Sequence, residues 1–409
     1  MKVPFFKLTI DRADRREITK TLDSGWLTTG PRCAELETLV HNQAGAGHPV
    51  ALSSATAGLH LALLALDVGP GDEVITTGFT FSATVAAILY VGATPVLADI
   101  DPETLNLDPE CVRQKITGKT KAVISVDIAG LPCDYRALGA LCRKHKLKLI
   151  CDAAHSLGAE AQGKTVGNFG DVTVFSFYST KTVTTAEGGL ALCRSRKTAD
   201  RIRRLSLHGM DRTTFSRDKK SDWRYDVTEL GFKYNLSDLS AALGVARMKR
   251  LDSLLSSRAQ AAGRYDLALE PLADLIDLPP RPYQFFQAWH LYIIKLKTKR
   301  WRISRDTFIS EMKRQGIGTG VHYIPVYHLS AFARILKVKP GSLPHTERAF
   351  SHVVSLPLYP ELKAADIKIV ASAVSEVARR FASAGQDTEQ GAKEDALKMV
   401  DKPLPPGQH

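Results

Sequence analysis

Two residues in the sequence are of the types and in the places that chemistry needs: Asp152 and Lys181. Asp152 follows a short, mainly apolar run, Leu147 to Cys151, that reads as a buried strand. In open α/β sheets, ligands gather outside the carboxyl ends of the strands, so a carboxylate there is placed to meet one. Lys181 follows a second run, Val172 to Phe177, in a loop of small and hydroxyl residues that includes Ser179, Thr180, Thr182 and Thr184. Glu187, Gly188 and Gly189 then turn the chain into a third strand, Leu190 to Cys193. Taken singly, the aspartate reads as a helix cap and the lysine as a solvated cation. Taken together on neighbouring strand ends, they suit pyridoxal phosphate (PLP). That cofactor needs a lysine amine for its Schiff base and an acid that keeps its pyridine nitrogen protonated.

The elements around them alternate. From residue 50 the pattern reads strand 50–54, helix Thr56–Leu66, strand 73–77, helix Phe81–Tyr90 and strand 95–100. Helix Pro109–Ile116, strand 122–127 and helix Asp134–His145 then lead into the central stretch. Strands alternating with helices of this length predict a mostly parallel sheet covered on both faces. Before it stand an amphipathic helix over 11–24, a loop reading GWLTTGP and a helix Cys33–Asn42. After it come helix Thr198–Leu207, a polar stretch 208–233 read as a loop over the site, and one long helix Ser237–Arg264 with Ser237 as its N-cap. A strand near 289–297 and helices near 304–315 and 364–382 follow. The expected division is a large cofactor-binding domain over 1–245 and a smaller C-terminal α/β domain over 246–383. The polar segment 384–409 reads as a disordered tail.

Composition narrows the classes. A chain of 409 residues is long enough for two or three domains and a sizeable core. No run approaches the ~20 apolar residues of a membrane span, and the N-terminus lacks a signal peptide's apolar stretch, so the expected location is the cytoplasm. Six cysteines without CxxC spacing fit reduced thiols, with Cys151 and Cys193 in apolar strand runs. His290, His322 and His328 lie at no familiar ligand spacing, and no metal is expected. The net charge of +12 is spread along the chain without a nucleic-acid-binding motif, and suits a small anionic substrate.

Most of the chain resembles the DegT-type sugar-nucleotide aminotransferases, which have the aspartate aminotransferase (type I) fold. The resemblance rests on SSATAGLHLAL (53–63), GDEVITTGFTFSAT (71–84), GATPVLADID (92–101), CDAAHSLGA (151–159) and FSFYSTKTVTTAEGG (175–189). It continues through YNLSDLSAALG (234–244), AWHLY (288–292), GIGTGVHY (316–323) and SLPLYP (355–360). SSATAG, KYNL, AWHL and GIGTG are most similar to the members that make UDP-4-amino-4-deoxy-L-arabinose.

The resemblance implies Lys181 as the Schiff-base lysine, where dehydratases of the family carry His. It implies Asp152 on the pyridine nitrogen, His155 on the ring hydroxyl, Ala154 beneath the ring and Phe81 stacked above it. Ala55, Thr56 and Ser176 match the phosphate donors. Asn235 matches the residue that reaches the phosphate from the neighbouring subunit, which implies a homodimer with shared active sites. Leu236 stands where the family usually carries a basic residue and agrees with the arabinose-making members. Trp26, Thr28, His322 and Tyr323 match positions lining the sugar pocket, and Lys233, Arg212 and Arg224 are candidates for a diphosphate. The implied partners are glutamate, 2-oxoglutarate and a nucleotide-linked 4-keto sugar, a UDP-4-keto-pentose or another UDP-, dTDP- or GDP-4-keto-hexose. The reading from a different class is a non-catalytic PLP-binding regulatory protein.

Overall fold

The structure, a computed structural model, describes residues 1–211, 223–339 and 341–383. Arg212, the middle of the 208–233 stretch and the segment 384–409 lie outside the described residues. The chain first forms β1 (His48–Leu52), β2 (Glu73–Thr77), β3 (Thr94–Ala98), β4 (Thr120–Val126) and β5 (Lys148–Asp152). A small pair, β6 (Glu160–Ala161) and β7 (Lys164–Thr165), precedes β8 (Val172–Ser176) and β9 (Gly189–Cys193). Seven of these make the central sheet in the order β1-β9-β8-β5-β4-β2-β3. Strands β8, β5, β4, β2 and β3 pair in parallel, while β9 runs antiparallel to β8 and β1. Two antiparallel steps leave β1 parallel to β8, so β1, β2, β4, β5 and β8 all end on one edge.

Side chains alternate across this sheet with period two. Ala51, Ile75, Val123, Leu149, Phe175 and Leu190 enter one core, which also takes residues from helices Pro31–Ala44, Tyr135–His145 and Asp238–Met248. Leu52, Val74, Ile124, Ile150, Val174 and Ala191 enter the other, against helices Ala55–Ala65, Ser82–Tyr90 and Arg196–Leu205. Burial of each large aliphatic side chain contributes about 1.5–3 kcal/mol, so the strand ends are held by a stiff double-sided core. Cys151 and Cys193 lie in these cores as expected.

A second sheet, β10-β12-β13, joins β10 (Ile276–Asp277), β12 (Tyr292–Leu296) and β13 (Val353–Leu356), all antiparallel. The short β11 (Phe285–Phe286) pairs with β6 instead. The second sheet has its own core with helices Leu251–Leu269, Arg305–Arg314 and Ala364–Phe381, and Val3 from the chain's start packs there too.

The single long helix expected over Ser237–Arg264 is two helices, Asp238–Met248 and Leu251–Leu269. Ser237 does cap the first, accepting from the Ser240 N–H. The backbone leaves the helical region at Arg250, with φ −131° and ψ 24°. There the side chains of Arg247 and Arg250 both reach Asp14 on the first helix, and Arg250 also binds Asp11. No Gly or Pro marks the break; a contact more than two hundred residues away accompanies it.

Two contacts clamp the second sheet against the strand-end edge of the first. Asp99, just past β3, accepts from the His345 and Thr346 N–H groups at the start of helix Pro344–His352. Beyond β4, the Ala129 carbonyl accepts from the His290 N–H at 2.9 Å, and the Gly130 carbonyl from Ala288 at 3.0 Å. Gly130 has φ +91°, and a Cβ there would stand 2.8 Å from the His155 carbonyl, so only glycine allows this approach.

Candidate active site

Lys181 lies in a hydrogen-bonded loop between β8 and β9. Its N–H donates to the Tyr178 carbonyl, Thr185 N–H to Phe177, and Phe177 N–H to Gly188. The loop closes onto the start of helix Ala55–Ala65: a Cβ on Gly189 would fall 2.4 Å from the Ala55 nitrogen. Lys181 is partly open to the cleft, and its amine stands 3.4 Å from Nε2 of His290. Burial pushes the amine's pKa down to about 7; the Asp152 charge opposes this and the Arg258 charge adds to it.

Asp152 ends β5 and is buried. Burial raises its pKa, opposed by the Thr84 hydroxyl, which donates to Oδ2 at 2.8 Å, the Ala154 N–H at 3.3 Å and the Lys181 charge. His155 is buried beside it, and its Nε2 faces the Tyr323 hydroxyl at 3.0 Å. The His155 and His290 rings are 4.3 Å apart. Burial, with the Lys181 charge next, holds both imidazoles well below the ordinary histidine pKa, so both are neutral at physiological pH. His322 is held down to about 4 for the same two reasons, and its Nδ1 meets the Ser355 hydroxyl at 2.8 Å. Phe81 caps the helix that carries Thr84 and is 61% exposed, with its ring 6.2 Å from that of Tyr323.

One cleft therefore gathers Lys181, Asp152, Ala154, His155, Phe81, His322 and Tyr323. Ala55 and Thr56 open the helix after β1, where Ser54 accepts from the Ala57 N–H. Ser176, the last residue of β8, pairs with Gly189, the residue pressed against that helix start. First-turn amides and the helix dipole make such a terminus attractive to an anion.

Trp26, Thr28 and Asn235 form a separate group. The Thr28 carbonyl accepts from the Asp238 N–H, and the Trp26 indole donates to the Thr29 carbonyl at 3.3 Å. Asn235 donates to the Thr29 hydroxyl at 2.7 Å and accepts from Lys233 at 2.6 Å. Its backbone bridges to Leu52, which ties the group to the end of β1. Leu236 is 3% exposed and packs in the main core, a position closed to a solvated cation. Arg224 lies over the neighbouring Trp223 ring.

Of the residues at this site, Thr84 was not singled out from the sequence and His290 was weighed there only as a metal ligand. Thr84 bonds Asp152 across 68 residues, and His290 meets Lys181 across 109. Separations of that size carry no periodic signal; AWHLY offered only the resemblance.

The fold and cleft define a lysine- and aspartate-bearing α/β enzyme. The DegT/DnrJ/EryC1/StrS aminotransferase family model matches residues 8–375, and the chain belongs to that family. The spore coat polysaccharide biosynthesis protein SpsC of Bacillus subtilis is 39% identical over 379 residues, covering 92% of this chain and 97% of the relative. The putative sugar aminotransferase Spr1654 of Streptococcus pneumoniae, solved in PMP-, PLP- and apo-forms, superposes in its PMP-form with a TM-score of 0.86. That form is 32% identical over 92% of this chain and 99% of its own. Helicobacter pylori PseC, an aminotransferase of pseudoaminic acid biosynthesis, superposes with a TM-score of 0.86 at 28% identity, covering 93% and 100%. The fold is therefore the type I fold of PLP-dependent sugar aminotransferases, and this chain is such an enzyme.

The cleft fits the family's cofactor on its own chemistry. It offers an amine that loses its proton near neutrality, a buried carboxylate and an aromatic face open to a flat ring. The Nδ1 atoms of His155 and His290 are buried there without a hydrogen-bond partner among the described residues.

Proposed function

We propose that the enzyme moves an amino group from glutamate to C4 of a UDP-linked 4-keto-pentose, giving UDP-4-amino-4-deoxy-L-arabinose and 2-oxoglutarate. The observation that carries the reading is the placement of the Lys181 amine beside the His290 imidazole and close to the buried, Thr84-bonded carboxylate of Asp152. When bound, PLP would supply an aldehyde carbon that takes up and returns the amino group and a ring that withdraws electrons from it. Lys181 would hold the cofactor and, once released, its amine would serve as the base and acid that moves the substrate proton. Asp152 keeps the pyridine nitrogen protonated; its burial and the Thr84 hydrogen bond fix the carboxylate for that task. Phe81 and Ala154 would hold the faces of the cofactor ring, and His155 would serve its hydroxyl.

Ala55, Thr56 and Ser176 bind the phosphate, joined by Asn235 from a second copy in a homodimer with shared sites. Trp26, Thr28, His322 and Tyr323 line the sugar pocket, and Lys233 and Arg224 meet the diphosphate. No described helix is long and apolar enough to cross a membrane, and the reading places the enzyme in the cytoplasm. The spore coat polysaccharide role of SpsC and the pseudoaminic acid role of PseC support a carbohydrate substrate. The pentose rests on SSATAG, KYNL, AWHL and GIGTG.

The test is a panel of UDP-, dTDP- and GDP-4-keto sugars incubated with glutamate and read by mass spectrometry. Amination of the UDP-pentose above all others is expected. Preference for a hexose overturns the substrate, and no aminated sugar nucleotide at all overturns the substrate class.

A further inference from the structure

We propose that His290 is a positioning residue for Lys181, whose Nε2 accepts a hydrogen bond from the Lys181 ammonium and aims that group into the cleft. The inference rests on the reading of Lys181 as the cofactor-holding lysine. The two nitrogens are 3.4 Å apart, and His290 is 7% exposed. While Lys181 is protonated its ammonium has only donors, so in that state the imidazole nitrogen facing it carries no proton. The ring's single proton then sits on Nδ1, which is buried without a partner among the described residues.

The placement of this ring is built from both sides. On one side the His290 N–H donates to the Ala129 carbonyl. On the other, Arg258 is 1% exposed and gives its guanidinium to the carbonyls of Trp289, His290 and Leu358 at 3.1–3.2 Å. Trp289 itself turns through φ +49°, a conformation uncommon for a bulky residue, under the Arg281 guanidinium 4.3 Å from its ring. Arg258 is thus a positioning residue that acts through His290.

The charged and titratable groups facing Lys181 come from four elements. Asp152 ends β5, His155 follows it, Arg258 comes from helix Leu251–Leu269, and His322 comes from the segment after helix Arg305–Arg314. Burial and the surrounding cations keep His290 from taking a second proton, which leaves one ring nitrogen free to accept from the Lys181 ammonium.

The test follows trace acetylation of Lys181 by acetic anhydride as a function of pH. It uses the full-length chain freed of cofactor, with the Lys181 peptide read by mass spectrometry. Wild type, His290→Leu and His290→Gln are compared. Half-maximal reaction is expected near pH 7 in wild type. In His290→Leu the ammonium loses an acceptor, and the titration is expected to move down by about one unit. His290→Gln, whose amide oxygen also accepts, is expected to stay within roughly half a unit of wild type. In the loaded enzyme His290→Leu should lower kcat about tenfold or more with KM for glutamate little changed, and His290→Gln should recover most of it.

Three superimposable titrations overturn the proposal. So do equal losses of kcat in both variants together with a lowered thermal midpoint, which mark a packing residue. A wild-type Lys181 titrating in the ordinary lysine range removes the reading beneath the proposal, and the proposal with it.

Discussion

The Thr84→Val substitution isolates what holds the Asp152 carboxylate. Valine keeps the branched shape at a site with no exposure and removes only the hydroxyl that donates to Oδ2 at 2.8 Å. The Ala154 N–H at 3.3 Å and the Lys181 charge remain. A hydrogen bond to a charged group is worth about 1.5–3 kcal/mol, and one pKa unit corresponds to about 1.4 kcal/mol, so the loss amounts to roughly 1–2 units. The sign follows from which form the hydroxyl stabilises. It favours the carboxylate, so its removal raises a pKa that burial has already raised. The acid limb of kcat/KM for glutamate should therefore move to higher pH by the same roughly 1–2 units.

Infrared difference titration of the carboxyl band gives a direct reading, with Asp152→Asn as the blank. Thr80→Val should shift it less, because the Thr80 hydroxyl touches Asp152 only through Thr84, at 2.8 Å. A movement under roughly half a unit in Thr84→Val, with the protein folded, refutes the reasoning.

Asp152→Asn should retain some cofactor and lose turnover by about 10²–10⁴, the range of positioned proton-handling groups; near wild-type turnover would make Asp152 a structural cap. Asp14→Ala should cost about 3–5 kcal/mol in urea denaturation. It strands Arg247, whose side chain is 3% exposed, and a loss below ~1 kcal/mol would contradict the buried pair. For the shared site, differently tagged Lys181→Ala and Asn235→Ala chains would be co-expressed and the mixed dimer isolated. Donation of Asn235 across the dimer puts both defects in one site, so about half of wild-type activity should return in one intact site. Mixed dimers no more active than an impaired Asn235→Ala homodimer would exclude it.

The sequence carried those parts of the fold that depend on local periodicity. Residues 73–77 alternate across a two-faced core, and the strand appears at those bounds as β2. Asp152 and Lys181 were legible because strand ends and their loops follow directly from that alternation. Parts set by distant contacts were not. The helix break at Arg250 accompanies ion pairs to Asp11 and Asp14. Strand β13 reads only VVSL and is buried throughout, so it shows no alternation. Helix Pro344–His352 was also unmarked, being started by Asp99 across 247 residues. His290 waited for the same reason: its relation to Lys181 exists only once the second sheet is docked on the strand ends of the first.

The most direct measurement of the account is the identity of the lysine that holds the cofactor. Borohydride reduction of the PLP-loaded protein, followed by proteolysis and peptide mapping, fixes the cofactor to whichever lysine carries it. The account expects a single modified peptide containing Lys181, and no such peptide from Lys181→Ala. A modified peptide centred on any other lysine in the wild-type protein would contradict it.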